Sequence, residues 1–530
     1  MHGLQRLLAS LSVRDLLLSI VSGSLLTLSL PAHDLSWLAW GSLIPLFFAL
    51  EGKPPAAMFR LGLLAGFVHY LSMLYWTVVA MHFYGKIPII LSIILLMMLA
   101  MYLSLYVGIA SWGIGRLASH IGFQKAVAAM PSLWVATEYM RSHLLTGFPW
   151  CLLGYSQYHN LVVVQMADLT GVLGISFVIV LVNACLFVVL KLTLSCFRKG
   201  SADGLLFPLF FIALTIAVIV GVNTYGAWRV QGLQASIAQC PKAQVGLVQG
   251  NIDQSQKWNP TNFTRTLETY QLLTRKAVQT KTDVIVWPET AVPGYYVPEL
   301  AESHFMSDLS RQVESAIIFG SLSYERRPAG FALYNSAFMV SSHQSELLRY
   351  DKVHLVPFGE YVPLKPLLPF VDKLVEGIGE FSVGNRYPLF SFGRGTGGIV
   401  ICYEAIFPQY ARAYVNRGAT VLVNITNDAW FGHTDAPYQH FAMAIMRAVE
   451  NRVPLIRAAN TGISAIVSPL GEVQDATPLF VEAFLSGTIP IRETHTVYSR
   501  YGDLIAVLVA GFALAPVFLI HVLRRTTDTI

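Results

Sequence analysis

Apolar runs dominate the first 230 positions or so, and several are long enough to span a bilayer as helix, which takes about 20 residues. Seven such runs are read at roughly 12–30, 35–50, 57–81, 87–115, 123–140, 162–195 and 205–226, and an eighth at 505–523, closed by Arg524 and Arg525. The second is short, and the fifth carries Glu138 near its end. Arg6 and Arg14 precede the first run as they would in a signal peptide, but further runs follow at once, so it reads as an uncleaved anchor. Between about 229 and 500 the period changes. Short β-rich stretches predict strands over 244–249, 283–287, 316–322, 332–341, 398–402, 420–425, 455–459 and 464–468. Longer amphipathic stretches predict helices over 261–279, 298–314, 408–417 and 436–451. The pattern predicts three parts: a seven-span membrane domain over 1–228, an α/β domain over 229–500, and a final span with a short tail over 501–530.

Composition agrees with a membrane protein. Only 13% of residues are charged, against roughly 25% in soluble proteins, and 54% are hydrophobic. A net charge of +5 is too mild to indicate nucleic-acid binding, so the placement of the charges matters more than their sum. With the N-terminus inside, Arg6, Arg14, Lys53, Arg60, Arg116, Lys125, Lys191, Arg198, Lys199, Arg524 and Arg525 fall at inner ends and loops. Only Lys86 and Arg141 fall in the short outer loops. The bias is consistent throughout only with eight spans, which puts both termini in the cytoplasm and the α/β domain on the outer side. The five cysteines, Cys151, Cys185, Cys196, Cys240 and Cys402, show neither metal-ligand spacing nor a disulfide framework.

Three polar clusters each follow an apolar strand. Val284-Ile-Val-Trp287-Pro-Glu289 presents a carboxylate just past a strand-stopping proline. A solvated loop acid would look the same, but apolar walls would turn Glu289 into a general base. Lys352 stands among His354, Pro357, Glu360 and Tyr361; it is either a surface lysine or a fixed cation for a developing oxyanion, with Glu360 orienting it. Gly398-Ile-Val-Ile-Cys402-Tyr403-Glu404 turns polar immediately after the cysteine. A core cysteine is the common case. Here the position matches the strand ends where open α/β sheets build their sites. A free thiol is mostly protonated at neutral pH, so Cys402 as nucleophile needs an adjacent base, and Glu289 is the candidate.

In the order Glu289, Lys352, Cys402, these clusters resemble the nitrilase (carbon–nitrogen hydrolase) superfamily, whose triad is glutamate, lysine and cysteine. The resemblance implies an αββα four-layer sandwich and acyl transfer through a cysteine thioester. Flanking spans, the stretch from Val248 to Trp258, the Lys352–Pro363 stretch and Asn427-Asp428-Ala-Trp430-Phe431-Gly432 narrow it to the apolipoprotein N-acyltransferase family. That family implies Glu289 as base, Lys352 as stabilising cation and Cys402 as nucleophile. It marks Trp258, Glu360, Tyr403 and Glu404 as supporting or substrate-binding positions. It further implies a phospholipid acyl donor, a diacylglyceryl apolipoprotein acceptor, no cofactor, no metal, and a periplasmic catalytic domain on a bacterial inner membrane.

Two rivals use the same residues differently. A membrane-anchored nitrilase-type amidase would hand the thioester to water, although eight spans exceed what anchoring requires. A transporter or scaffold with a degenerate nitrilase fold would have no need of an intact triad. The apolar stretch from Val362, with Leu367, Leu368 and Phe370 among prolines and glycines, is expected to be either packed on the domain or a lipid-dipping arm. Gly147-Phe148-Pro149-Trp150 reads as an interfacial aromatic anchor. His69 and Asn183 read as interhelical hydrogen-bonding groups, and His433 with His440 are too few for a metal site.

Overall fold

The computed structural model describes residues 11–199, 205–278, 281–297, 301–328, 330–341, 344–362, 380–512 and 514–515. The stretch around Leu367, Leu368 and Phe370, read as a packed segment or a lipid-dipping arm, and residues 513 and 516–523 of the last predicted span lie outside the described residues. The chain divides into two units: Met1–Tyr75, Ile93–Arg229 and Tyr501–Ile530 form one, and Trp76–Ser92 with Val230–Arg500 forms the other.

The first unit is helical. Among the described residues four helices are long and apolar enough to cross a membrane: Pro55–Met73, Ile89–Ile121, Val163–Leu194 and Leu206–Gln239. Val13–Leu28 is a further apolar helix, N-capped by a reciprocal Ser12–Asp15 box. The second predicted span is not one helix. Pro45 and Gly41 divide it into a 3₁₀ turn, Ser36–Trp40, and a short helix, Ile44–Leu50. Asn183 repairs the break: its amide donates to Ala39 O at 2.8 Å, and its oxygen accepts from Leu43 N at 2.8 Å. Backbone left unpaired in an apolar setting costs several kcal/mol per group, so a buried side-chain amide at the gap is the expected remedy. The fifth predicted span is likewise divided, into Phe123–Val127 and Met130–His143. His69 meets Thr27 Oγ1 at 3.0 Å, as an interhelical bond should. The anchor reading of Trp150 is overturned. Trp150 is 1% exposed, and Arg141 Nη1 donates to its carbonyl at 2.9 Å, so the Gly147–Trp150 loop is folded inward. Small residues let helices meet: a Cβ on Gly62 would strike Ser111, and one on Gly66 would press on Ser104.

The second unit carries two six-stranded sheets. The first has the order β12-β1-β2-β3-β4-β5, and the second β11-β10-β9-β8-β7-β6. The strands are β1 Lys242–Gln249, β2 Val284–Val286, β3 Ala316–Arg327, β4 Gly330–Ser341, β5 Gln344–Asp351 and β6 Phe390–Phe392. They continue with β7 Gly395–Ile401, β8 Val421–Thr426, β9 Leu455–Ala459, β10 Ala465–Val467, β11 Val473–Ala476 and β12 Ala483–Pro490. Each sheet has a parallel centre, β1-β2-β3 and β7-β8-β9, with antiparallel flanks. Parallel strands are covered on both faces, which is why β2 and β8 are buried at every position. Helices Phe263–Ala277 and Ala301–Val313 pack outside the first sheet through Leu267, Tyr270, Leu273, Met306 and Leu309. Helices Pro408–Val415 and Ala436–Asn451 cover the second, and β1 lies against β9 between the sheets. The result is the αββα order that the family resemblance implied.

Trp76–Ser92 joins this unit although it leaves a membrane-length helix and enters another. Its Trp76 ring meets Phe431 edge-on at 4.9 Å, and Tyr84 meets Trp430 at 5.6 Å. A five-residue π-turn, Ala80–Tyr84, shapes the segment between those rings.

Gly320 on β3 sets how closely the loop after β2 approaches the sheet. A Cβ there would stand 2.4 Å from Thr290 N and 2.7 Å from Glu289 Cα, both backbone atoms that cannot swing aside. Gly320→Ala is expected to destabilise the unit by about 1–3 kcal/mol and to displace Glu289. Thermal unfolding in detergent, with wild-type stability as the refuting result, checks this.

Candidate active site

Four loops that leave strand ends converge. Glu289 follows β2, Lys352 follows β5, Cys402 follows β7 and Asn427 follows β8. A strand that ends abruptly delivers its next side chain at a fixed place, and neighbouring parallel strands deliver several to one edge.

Lys352 lies at the centre and is 1% exposed. Its Nζ is 2.9 Å from Glu360 Oε1 and 3.7 Å from Glu289 Oε1. Asn335, on β4, bridges the two carboxylates: Nδ2 donates to Glu289 Oε1 at 2.7 Å and to Glu360 Oε1 at 2.9 Å. The same residue's carbonyl accepts from Lys352 N at 2.9 Å, so one residue fixes the lysine and both its counter-ions. The second oxygen of Glu289 accepts from Asn427 N at 2.9 Å, and that of Glu360 from Val356 N at 2.8 Å. Glu289 is 7% exposed and so is not a solvated loop acid, but polar donors rather than apolar walls meet its oxygens. Burial pulls the Lys352 pKa down, but Glu360, Glu289, Cys402 and Glu404 more than offset it, and it ends raised. The lysine is held as a cation.

Cys402 is buried, with a backbone φ of 51° in the left-handed region that a Cβ disfavours. Burial pushes its thiol up and the Glu289 charge adds to this, while Lys352 acts against both. At rest the sulfur keeps its proton. A nucleophile here must be activated by a base at the moment of reaction.

Glu404 is not a free carboxylate beside these groups. One oxygen accepts from Tyr350 Oη at 2.8 Å, Val353 N at 2.7 Å and His354 N at 3.1 Å, and the other from Ile401 N at 2.7 Å. It ties the end of β5, which carries Lys352, to the end of β7, which carries Cys402. Burial raises its pKa to about 7, against the pull of the Ile401 N–H and Lys352. Tyr403 is buried and stacks on His354 at 5.7 Å, and Phe407 meets its ring at 5.1 Å. Trp258 is 46% exposed, on the loop after β1. The structure therefore draws Glu289, Lys352, Cys402 and Glu360 into one cluster, sets Glu404 beneath it as a brace, and leaves the Trp258 ring half in solvent. Among the described residues no group of three metal-ligating side chains occurs.

Sequence reading missed three groups. Asn335 sits inside a strand pattern, where one polar residue carries no special signal. Asn427 acts through its backbone N–H, which no side-chain pattern reveals. Lys257 is 2% exposed and donates to Glu289 O at 3.2 Å and Thr290 Oγ1 at 2.5 Å, bracing the Glu289 turn from behind. Its place in a polar loop gives no local sign of burial.

Burial lowers the Lys257 pKa to about 8, with Glu289 resisting. The folded site therefore binds fewer protons than the unfolded chain between pH 8 and the ordinary lysine value of 10.5. Stability rises across that window and the penalty is greatest below it. Relative to Lys257→Met, the wild type is expected to gain melting temperature as pH rises from about 8 to 10.5. Parallel curves in differential scanning measurements would refute the linkage.

Comparison with known proteins gives the geometry a context. A sequence family described as the apolipoprotein N-acyltransferase N-terminal domain matches residues 22–185, and the carbon-nitrogen hydrolase family matches residues 244–497. An apolipoprotein N-acyltransferase of Geobacter metallireducens is 42% identical over 506 residues, covering 94% of each chain. Those of Rickettsia prowazekii and Shewanella oneidensis are 33% and 31% identical, covering 88% and 95% of this chain and 89% and 95% of their own. Among solved structures, Nit3 of Saccharomyces cerevisiae, a nitrilase-superfamily member, aligns at 19% identity and a TM-score of 0.37 over 50% of this chain and 94% of its own. With two family matches in sequence order and near-complete coverage by relatives, the chain belongs to the apolipoprotein N-acyltransferase family.

Proposed function

We infer that this protein transfers an acyl chain from a membrane phospholipid to the α-amino group of the N-terminal diacylglyceryl-cysteine of apolipoproteins. The convergence of Glu289, Lys352 and Cys402 on one buried cluster, in a chain with these relatives, is the observation that carries the reading.

The chemistry follows from the groups present. Glu289 takes the Cys402 proton as the sulfur attacks the phospholipid ester carbonyl. The oxyanion is met by the Lys352 cation and by backbone N–H groups after Cys402. Glu289 returns the proton to the departing glycerol oxygen, and a lysophospholipid leaves. The thioester then waits for the second substrate. The α-amino nitrogen attacks, Glu289 removes its proton, the tetrahedral intermediate collapses, and the thiol is restored beside an N-acylated lipoprotein. Glu360 holds Lys352 in place, and Trp258 and Tyr403 line the approach of the lipid substrates. Hydrolytic turnover, as in an amidase, is the less favoured reading, because it leaves the membrane-embedded half without a purpose.

Both substrates are lipids, and withdrawing a chain from the bilayer costs about 0.8 kcal/mol per CH₂. The reaction in this reading takes place at the membrane surface, so that neither lipid has to leave the bilayer. In this reading the chain crosses a bacterial inner membrane eight times, with the 229–500 region in the periplasm and both termini in the cytoplasm. The seven spans within 1–228 and the last within 501–530 form the embedded part. The lysine and arginine bias, and four helices of sufficient length, support this arrangement.

Incubation with labelled phospholipid alone should release about one lysophospholipid per enzyme and leave an acyl group on Cys402, detectable by mass spectrometry. Cys402→Ala should abolish both, and Glu289→Gln should slow the burst by about 10²- to 10⁴-fold. Acylation of a diacylglyceryl peptide without any enzyme-bound acyl group would refute the two-step route. Release of free fatty acid as the main product would favour the hydrolase.

A further inference from the structure

Behind Cys402 lies a second polar cluster that the reaction above does not use. His440, Asp428 and Arg457 are each no more than 1% exposed. His440 Nδ1 is 3.0 Å from Asp428 Oδ1 and 3.1 Å from Arg457 Nη2. Arg457 Nη2 donates to Asp428 Oδ2 at 2.7 Å, its Nη1 to Asn424 Oδ1 and its Nε to Ile463 O at 3.2 Å. Thr426 Oγ1 donates to Asp428 Oδ1 at 2.9 Å. The network reaches the Cys402 backbone: His440 Nε2 stands 3.1 Å from the main-chain oxygen of Cys402.

That oxygen can only accept, so Nε2 carries the proton, whichever other state the ring is in. The consequence for Cys402 is geometric. A cysteine at φ 51° is held against a preference of about 1–2 kcal/mol, and such a conformation lasts only where its surroundings dictate it. The peptide joining Cys402 to Tyr403 is planar and trans, so its C=O and N–H point in opposite directions. A donor that captures the C=O on the His440 side turns the Tyr403 N–H to the other side. One hydrogen bond therefore fixes both the direction of the Cα–Cβ bond that carries Sγ and the direction of the first backbone donor after the nucleophile.

We propose that His440 is a positioning residue for acyl transfer, whose Nε2–H bond to the Cys402 carbonyl, anchored by Asp428 and Arg457, orients both the thiol and the following backbone N–H. This rests on Cys402 being the nucleophile. His440 acts through the peptide and touches no substrate atom. Asp428 and Arg457 keep the imidazole from rotating, and Thr426 and Asn424 hold those two in turn.

Two substitutions separate this from simple core packing. A glutamine amide can place its Nε2 near the position of the histidine Nε2 and keep the donor to the Cys402 carbonyl. An asparagine amide reaches only as far as Nδ1 and keeps the Asp428 side alone. In the full-length enzyme in phospholipid–detergent micelles, the rate of iodoacetamide alkylation at Cys402 is followed by peptide mass spectrometry. Lysophospholipid burst rate, kcat, KM for phospholipid and melting temperature are measured alongside. His440→Asn is expected to slow alkylation and kcat on the order of 10- to 100-fold with KM changed less than about 3-fold, and His440→Gln to recover most of the loss. If glutamine performs no better than asparagine, whether both are impaired or both resemble wild type, the positioning role is overturned. If Cys402→Ala still transfers acyl groups, the nucleophile assignment fails, and this proposal with it.

Discussion

A cation withdrawn from water has to bring its anions along. Lys352 is closed off from solvent, and the Born penalty for an unpaired ammonium in such a place exceeds anything packing can offset. The surrounding architecture meets that demand. Glu360 supplies the close contact, Glu289 a second charge, and Asn335 locks the two carboxylates at a fixed separation. Because the groups come from β2, β4, β5 and the loop after β5, one electrostatic constraint sets the mutual positions of several chain segments. The same constraint suits chemistry. In the reaction proposed above, a lysine kept charged, beside a carboxylate whose oxygens are already oriented by Asn335 and the Asn427 N–H, would need little reorganisation as negative charge develops on a substrate oxygen.

The two halves of the sandwich contribute unequally. The first sheet supplies the acid and the amine, and the second supplies the sulfur. Glu404 is the tie between them, since it accepts from Tyr350, Val353 and His354 on one side and Ile401 on the other. Losing it would not remove a reacting group. It would free the strand end carrying Cys402 from the strand end carrying Lys352. The helical unit solves a related problem by other means: Asn183 supplies hydrogen bonds where Gly41 and Pro45 interrupt a helix in apolar surroundings.

How much of this could be read from the sequence depended on whether the signal was local. Glu289 and Cys402 each follow a run of buried β-branched residues, so their placement at strand ends was visible directly. The central strands β1, β3, β4, β8 and β9 were legible for the same reason. Strands β6, β11 and β12 were not, because they are short or carry Gln, Ser and Asp on flanks that need no apolar cover. Asn335 and Lys257 gave no signal because their partners are distant in sequence: Asn335 reaches Glu289 and Lys257 reaches Thr290 only once the sheets have formed. The broken second helix was half visible, as a span that looked too short.

The aromatic pairs that join Trp76 to Phe431 and Tyr84 to Trp430 have a bearing on biogenesis. Several hundred residues separate the partners, and translation proceeds at about 5–20 residues per second. The Trp76–Ser92 segment is therefore made tens of seconds before the rings it will meet, and has to remain available until they are made. The soluble-looking half is thus discontinuous in the gene. A fragment cut at the apparent border near residue 230 would be born without part of its own surface, leaving Trp430 and Phe431 uncovered. Closure of this unit is accordingly a late event, in which its last-made part meets a strip laid down long before it.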